Sequence, residues 1–509
     1  NEMGIRKAET SGVKSSRSSG LNSAVDVQVI VTEKEGDIEK WQYRKPAYGA
    51  VALVMGLTAF AVLFPMIITS EFLGLRQSVY RSPPPCPDQC RFTMVESIPE
   101  NLTYPAGSPL HMSTFDGWMG LLTAANQTID IASYYWTLRG EDVKIKDPST
   151  WQGEEIFHQL MLAGTTRGIK IRIVQNSGRN NADTRELAKM GAADVRALDM
   201  ERLVGAGILH TKFWIVDDQH LYVGSANMDF RSLTQVKELG AVVRNCSCLA
   251  KDLKKIFEAY WYLAQKNVTV PKHWRPKYNT EYNWDIPMEV QLNNTPAHVF
   301  LSSSPPRFCP SGRTVDIDAI LHVIQAAERF IHIAVMDYFP TTLYMKHNIF
   351  WPVIDDALRR AAIERGVEVQ LLASLWNYTY PSMPHYLNSL AVLNGADEAN
   401  IQVKLFVVPI FTPAQGRIPY SRVNHNKYMV TDKTAYIGTS NWSGDYFIST
   451  AGVGLAVRQN STEGTTIQEE LAAVFNRDWN SSYAKPVQDV IHSGLHNYSY
   501  EFAHSGLDL

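Results

Sequence analysis

A duplication spans most of the chain and constrains its fold more than any other feature of the sequence. Three segments recur in the same order in the two halves: 129–136 and 331–338, 167–173 and 365–371, and 210–227 and 425–441. Repeats of this size predict two similar domains packed face to face, because a solenoid would need more numerous and shorter units. The chain has 509 residues, which is long enough for two such domains.

Each half alternates between helical and strand patterns. In both halves a segment with helical spacing of its apolar residues, at 154–166 and at 352–364, predicts a helix. The apolar, β-branched run that follows it, at 169–174 and at 367–372, predicts a buried strand. This order predicts an α/β fold with mixed sheets flanked by helices. We expect a first domain at 92–290 and a second at 291–509, related by a pseudo-two-fold axis.

One N-terminal segment is not globular in character. Residues 47–68 carry no charged side chain and would span roughly 33 Å as a helix, enough for a bilayer core of about 30 Å. We therefore predict a transmembrane helix at 46–69, with a buried core helix as the alternative. A disordered tail at 1–45 precedes it, and a linker at 70–91 follows.

Orientation follows from the charges beside the predicted helix. Lys40, Arg44 and Lys45 precede it closely, so the positive-inside rule places the N-terminus in the cytosol. The rest of the chain then lies in the lumen, as in a type II single-pass protein. All N-x-S/T sequons follow the predicted span, which agrees with a glycosylated lumenal part; they begin at Asn101, Asn126, Asn245, Asn267, Asn293, Asn377, Asn441, Asn460, Asn480 and Asn497.

The five cysteines also follow the predicted span. In an oxidising compartment we expect two disulfides that join the pair Cys86 and Cys90 to the pair Cys246 and Cys248, with the connectivity left open. Zinc is the competing interpretation, but a C-x-C pair is poorly spaced to supply two corners of a tetrahedron. Cys309 remains as the odd cysteine.

The longest repeated segment carries the residues suited to chemistry. Its first copy contains His210, Lys212, Asp217, Gly224, Ser225 and Asn227. Its second copy contains His425, Lys427, Asp432, Gly438, Thr439 and Asn441. One such match is expected by chance on the order of once in ten thousand, so two in corresponding places favour a function over a pair of core histidines.

Strand geometry explains the spacing of these residues. Side chains at i and i+2 of a strand share a face, so the histidine and lysine of each copy project together. Each copy reads as a hairpin, with Asp217 at one turn and Asp432 at the other. Brought together, two imidazoles, two ammonium groups and two amides would bind a phosphodiester without a metal or other cofactor. One imidazole would attack phosphorus, and the other would protonate the leaving oxygen and then activate water.

These motifs resemble the HKD signature of the phospholipase D superfamily. Segments 95–100, 225–240, 245–250, 309–314 and 422–433 look like those of its animal type II membrane members. The resemblance implies a lysosomal 5′-to-3′ exonuclease for single-stranded DNA and RNA that limits the sensing of nucleic acids by endosomal receptors. It also implies passage through the endoplasmic reticulum and Golgi, with a lumenal form that can be shed.

The resemblance also implies roles for individual residues. His210 is the candidate nucleophile and His425 the candidate acid/base, although the near symmetry of the motifs leaves the assignment open. Lys212, Lys427, Asn227 and Asn441 would bind the phosphate, and Asp217 and Asp432 belong to the motif as structural parts. Glu238 is either a partner that orients a histidine or a surface glutamate, and its counterpart in the second half is Gly452.

Three classes of function remain open at this point. The first is a nucleic-acid exonuclease, and the second is a phospholipid hydrolase or transphosphatidylase, including one that makes bis(monoacylglycero)phosphate. The third is a catalytically silent scaffold, which the intact motifs disfavour. Aromatic residues that follow equivalent strands would either stack nucleobases or pack in the core: Tyr134, Tyr135, Trp136, Tyr338 and Phe339. A homodimer is a further expected assembly.

Overall fold

The computed structural model describes residues 83–178, 181–460 and 464–493. The predicted cytosolic tail and transmembrane helix, and most of the predicted linker, lie outside these residues. Within the described ranges no helix combines the length and the apolar character needed to cross a membrane. The described residues belong to one compact unit.

The first half of this unit contains ten strands. They are β1 (Gln89–Ser97), β2 (Met112–Ser113), β3 (Thr128–Ser133), β4 (Trp136–Thr137), β5 (Lys170–Asn176), β6 (Asp194–Leu198), β7 (Lys212–Val216), β8 (His220–Gly224), β9 (Met228–Asp229) and β10 (Glu238–Arg244). The α-helices are Thr114–Ala124, Trp151–Thr165, Ala182–Lys189, Met200–Val204, Phe230–Thr234 and Ser247–Leu263.

The second half continues with ten more strands. They are β11 (Met288–Leu292), β12 (Thr295–Ser304), β13 (Thr314–Val315), β14 (Phe330–Val335), β15 (Glu368–Leu375), β16 (Ile401–Val407), β17 (Lys427–Thr431), β18 (Ala435–Gly438), β19 (Gly452–Gln459) and β20 (Ala484–Pro486). The α-helices are Asp316–Ala326, Val353–Arg365, Met383–Ala391, Pro413–Gly416, Gly444–Ile448, Ile467–Trp479 and Val487–Ser493.

Strand pairing follows the same order in both halves. The first half runs β2-β1-β10-β8-β7-β3-β5-β6, with parallel pairs at β3-β5 and β5-β6 and an antiparallel hairpin at β7-β8. The second half runs β13-β12-β19-β18-β17-β14-β15-β16, with parallel and antiparallel pairs at the corresponding places. The mixed-sheet α/β class expected from the sequence is therefore confirmed.

The two halves share backbone hydrogen bonds. β1 pairs with β11 in parallel, and β11 runs across the expected domain boundary at 290/291. Two isolated bridges cross between the halves near the motifs, one joining Leu209 to Ala451 and the other Lys237 to Asn424. Because each bridge lies directly before a motif histidine, the packing of the halves also fixes the positions of those histidines.

Two disulfides attach the beginning of the described chain to the first half. Cys86 is bonded to Cys248, and Cys90 is bonded to Cys246. The expected joining of the two cysteine pairs is confirmed. β1, which contains Cys90, begins at Gln89 and so within the segment 70–91 that was expected to be a linker. Among the described residues, two groups drawn from these four cysteines and Asp88 lie close enough together to hold a metal ion, but all four sulfurs are in disulfides and none is a free thiolate. Cys309 is free and half-buried.

Candidate active site

Both motif histidines stand at the entrance to a hairpin strand. Lys212 is the first residue of β7 and Lys427 the first of β17, so each histidine lies two residues before its lysine on the same side of the extended chain. The backbone N–H of His210 donates to Ala451 O (2.9 Å), and that of His425 donates to Lys237 O (2.8 Å). Each histidine is therefore held in place by the opposite half of the molecule.

One cavity of about 880 Å³ receives both motifs. The structure brings five of the expected site residues to its wall, namely His210, Asn227, Glu238, His425 and Asn441. Both halves thus contribute side chains to the wall of one cavity.

The two motif lysines lie behind the histidines. Lys212 and Lys427 are almost fully buried, and neither is among the described residues that line the cavity. Each Nζ donates to the carbonyl oxygen of its own histidine, His210 or His425. Burial, together with the charge of the other lysine, keeps the pKa of Lys212 well below its usual value, and burial lowers the pKa of Lys427 to about 7.

The partner of His210 fixes its tautomer. Its Nδ1 lies 2.9 Å from Thr439 O, and because a carbonyl can only accept, Nδ1 carries the proton and Nε2 the lone pair. The rings of Tyr134 and Tyr446 pack around it, at 5.3 and 4.9 Å between centroids. Burial and the charges of the two lysines hold its pKa well below the usual range, which favours the neutral imidazole.

His425 has a different partner. Its Nδ1 lies 2.9 and 3.0 Å from the two carboxylate oxygens of Glu238, which also accepts a hydrogen bond from Ser232 Oγ (2.8 Å). Burial lowers the pKa of His425, and the Glu238 carboxylate opposes that shift. Although burial raises the pKa of Glu238, His425 and Lys427 outweigh it and keep the carboxyl below its usual value. Of the two interpretations of Glu238, the structure therefore supports the partner that orients a histidine.

The register of the sheets explains why His210 has no such carboxylate. Ser97 faces Glu238 across β1 and β10, and Ser304 faces Gly452 across β12 and β19. Gly452 thus occupies the position of Glu238, as the sequence alignment of the halves predicted. A Cβ at Gly452 would lie 2.2 Å from Ser440 Oγ, so no larger side chain fits there without a shift.

The motif aspartates point away from the cavity. Asp217 accepts the backbone N–H groups of Asn126, Gln127 and Thr128 at 2.7–2.8 Å. Asp432 accepts those of Glu328 and Arg329 at 3.0–3.1 Å, and these bonds outweigh burial and lower its pKa. Both carboxylates therefore tie a hairpin turn to the loop that enters the neighbouring strand.

Asn441 shows a neighbour that the sequence analysis missed. Its Nδ2 donates to Asp337 Oδ2 (2.9 Å) and to Tyr446 Oη (3.1 Å). Burial raises the pKa of Asp337 to about 6, although Lys427 acts in the opposite direction. Asp337 follows β14 at the place that Tyr135 occupies after β3. Alignment of the two halves shows this difference between a tyrosine and an aspartate, which is the signal in the sequence that could have identified Asp337.

The aromatic residues after the equivalent strands divide between two environments. Tyr134 and Tyr135 line the cavity, where they remain candidates for base stacking. Trp136, Tyr338 and Phe339 are at most 2% exposed and belong to the hydrophobic core. For these three the stacking interpretation is wrong, because their rings are enclosed by other buried apolar side chains.

Two HKD motifs that meet at one cavity in a duplicated α/β fold define the phospholipase D class of proteins, and the chain belongs to the phospholipase D superfamily. A family model described as "PLD3/4, PLD-like domain" matches residues 106–410. The chain is 51% identical over 483 residues to the 5'-3' exonuclease PLD3 of Xenopus laevis, covering 91% of this chain and 97% of that protein.

Mammalian proteins show the same similarity. The human 5'-3' exonuclease PLD3 is 49% identical over 454 residues, covering 88% of this chain and 92% of that protein. The mouse 5'-3' exonuclease PLD4 is 47% identical over 408 residues, covering 78% and 80%. The family resemblance that the motifs suggested is thus confirmed over nearly the whole described part of the chain.

Proposed function

We propose that this chain is a lysosomal 5′-to-3′ exonuclease that hydrolyses single-stranded DNA and RNA through a phosphohistidine intermediate. The observation that carries the proposal is the pair of chemically different histidines in one cavity, His210 on a carbonyl and His425 on a carboxylate. Relatives that are about half identical over most of the chain bear the name 5'-3' exonuclease. Through this activity the protein would limit the sensing of nucleic acids by endosomal receptors.

In the first half-reaction, His210 Nε2 attacks phosphorus and a P–N bond forms. The bond from phosphorus to the leaving oxygen breaks, and the proton on His425 passes to that oxygen. A neutral imidazole with a fixed Nδ1–H suits the first role, and an imidazolium stabilised by the Glu238 carboxylate suits the second. The phosphate charge would be balanced by Lys212 and Lys427 directly behind the histidines.

In the second half-reaction, His425 accepts a proton from water. The resulting hydroxide attacks phosphorus, the P–N bond to His210 breaks, and the nucleotide leaves with its phosphate. Both histidines then regain their starting proton states, so no metal or cofactor enters the cycle that we propose.

The proton states of the site support an acidic compartment. Burial lowers the pKa of His425, so the acid form needed first becomes more abundant as the pH falls. Burial also raises the pKa of Asp337 to about 6, so near pH 5 this carboxyl is largely protonated and ceases to repel a phosphate at Asn441.

A lumenal position behind a type II membrane anchor at 46–69 is part of the same proposal. Disulfides persist in oxidising compartments, and two are present here. Among the sequon asparagines in the described ranges, each is exposed except Asn441, whose amide is buried in the cavity wall. The matched strand order of the halves and the reciprocal bridges Leu209–Ala451 and Lys237–Asn424 support the pseudo-two-fold relation.

The test offers the purified protein three substrates at about pH 5. They are a 5′-hydroxyl single-stranded oligonucleotide, its duplex, and phosphatidylcholine vesicles. Stepwise release of nucleotides from the 5′ end of the single strand is expected, and His210→Ala and His425→Ala should each abolish turnover. Choline release without nucleotide release would contradict the exonuclease and favour a phospholipid hydrolase. Activity in the double variant His210→Ala/His425→Ala would contradict the proposed mechanism.

A further inference from the structure

A second cavity, of about 660 Å³, opens beside the catalytic cavity. The two share Trp376, Pro419 and Tyr420 as a common wall, so a flexible chain can pass from one to the other over these residues. None of the sequence motifs or reaction steps above uses the second cavity.

Two tyrosines form an exposed aromatic stack at this wall, which we call the aromatic shelf. The rings of Tyr378 and Tyr420 lie 4.6 Å apart at 26°, and the side chains are 51% and 60% exposed. Trp376 packs against Tyr378 at 4.9 Å, and its indole Nε1–H has no hydrogen-bond partner among the described residues. Large aromatic surface left open at the wall of a cavity is typical of sites that stack a planar ligand.

The backbone under the shelf is held in a strained conformation. Tyr420 has φ of +56°, which is costly for a bulky residue. Arg231 from the first half donates to Pro419 O (2.7 Å), and the N–H of Arg422 donates to Gln235 O (3.1 Å), so hydrogen bonds hold both sides of Tyr420. Strain that the surroundings enforce occurs preferentially at ligand-binding sites.

The charge of the second cavity is complementary to a polyanion. Lys144, Lys146 and Arg417 are exposed at its wall, and Asp147 is the acidic residue among the described residues that line it. Asp147 already caps a short helix by accepting the N–H of Ser149 at 3.0 Å. Cations next to stacking aromatic rings are the combination by which proteins bind single strands.

We propose that the second cavity binds the nucleotides on the 3′ side of the scissile phosphate, with their bases stacked on the aromatic shelf. This inference rests on the proposed exonuclease function. The strand enters the catalytic cavity with its 5′ end, and the nucleotides that follow cross Trp376 to the shelf. Only a single strand can do so, because the bases of a duplex are already stacked and paired; the shelf thus selects single strands.

The test measures kcat/KM of the full-length protein for single strands of two to ten nucleotides, and for bis(p-nitrophenyl) phosphate as a minimal diester. For the unaltered protein kcat/KM should rise with strand length and then level off. Tyr378→Ala and Tyr420→Ala should each lower kcat/KM for the longer strands about tenfold. For Tyr378→Ala, turnover of the minimal diester should stay within about twofold of the unaltered protein, because Tyr378 lines the second cavity and not the catalytic one.

Three controls accompany these variants. Tyr378→Phe and Tyr420→Phe retain a ring and should retain the length dependence. Phe350→Ala removes a ring that is 72% exposed but lines neither cavity, and should change nothing. Asn377 is exposed beside the shelf and begins a sequon, so each protein is compared after enzymatic removal of N-glycans.

The outcomes separate the two proposals. Alanine variants with unaltered length dependence would overturn the shelf while leaving the exonuclease intact. A protein that hydrolyses the minimal diester and phosphatidylcholine, but no oligonucleotide of any length, would overturn both. A loss confined to phosphatidylcholine turnover in the alanine variants would assign the shelf to a lipid instead.

Discussion

At the scale of single residues, the two histidines differ in what their Nδ1 atoms contact. Thr439 offers a neutral carbonyl and Glu238 a carboxylate, and in the proposed mechanism this contrast suits His210 to act as the nucleophile and His425 to act as the acid. Sequence comparison of the halves found the Glu238/Gly452 difference. It could not tell which histidine Glu238 serves, because the contact with His425 spans 187 residues.

The pH profile of Glu238→Gln tests this contrast. The carboxylate raises the pKa of His425, so its removal lets burial and Lys427 lower that pKa further. In the proposed mechanism His425 is protonated in the first half-reaction, so kcat/KM of the variant should begin to fall at a lower pH than that of the unaltered protein. At pH 6 we expect a loss of about 100-fold.

A matched control exists elsewhere in the fold. His332 Nε2 and Glu368 Oε1 form another pair, at 3.3 Å and outside the catalytic cavity. Glu368→Gln should leave the pH profile unchanged. If Glu238→Gln also leaves it unchanged, Glu238 does not tune the acid.

At the scale of secondary-structure elements, local patterns predicted local structure well. The helices expected at 154–166 and 352–364 are present as Trp151–Thr165 and Val353–Arg365, and both motif hairpins formed around their aspartates. Periodicity and turn residues contain that information. The bridges between halves and the carbonyl partners of the lysines were missed, because backbone partners distant in sequence leave no pattern in it.

The hairpin turn at Asp217 allows a prediction about stability. Asp217→Ala removes an acceptor for three backbone N–H groups and should lower the free energy of unfolding by about 1–3 kcal/mol. Because the carboxylate lies away from the cavity, the folded variant should keep kcat within a few-fold. Thermal unfolding and initial rates measure the two effects.

Asp218 supplies the control at the same turn. Its carboxylate contacts Lys254 at 2.5 Å, but it is 36% exposed, so Asp218→Ala should cost less than about 1 kcal/mol. If Asp217→Ala lowers the initial rate by more than its unfolded fraction accounts for, the purely structural role of the carboxylate is contradicted.

One disulfide attaches β1 to Cys246, the residue before the helix Ser247–Leu263, and the other attaches the segment before β1 to Cys248 within that helix. Replacing Cys86 and Cys248 together by serine should lower the free energy of unfolding by about 2–3 kcal/mol, because with the Cys90–Cys246 bond intact this bond closes only a short additional loop through residues 86–90 and 246–248. Denaturant unfolding checks the value. As a control, Cys309→Ser removes the free thiol and should change the free energy of unfolding little. An equal loss of this free energy in both variants would mean that the disulfide contributes no specific stabilisation.

At the scale of the whole molecule, the duplicated halves act as one enzyme. The histidine of each half is hydrogen-bonded through its backbone to the other half, and Glu238 of the first half serves His425 of the second. The duplication and the shared pocket could be predicted from repeated motifs. The second cavity could not, because it draws residues from three segments that are distant in sequence, within 144–147, 375–378 and 407–422.

The most direct measurement is the trapping of the covalent intermediate in His425→Ala with bis(p-nitrophenyl) phosphate. Its leaving group departs without protonation, so His210 should still attack, whereas water is no longer activated and the intermediate should accumulate. We predict a burst of about one equivalent of p-nitrophenolate and an acid-labile phosphoryl adduct that mass spectrometry assigns to His210. No burst in His425→Ala, or an adduct on His425 in His210→Ala, would contradict the account.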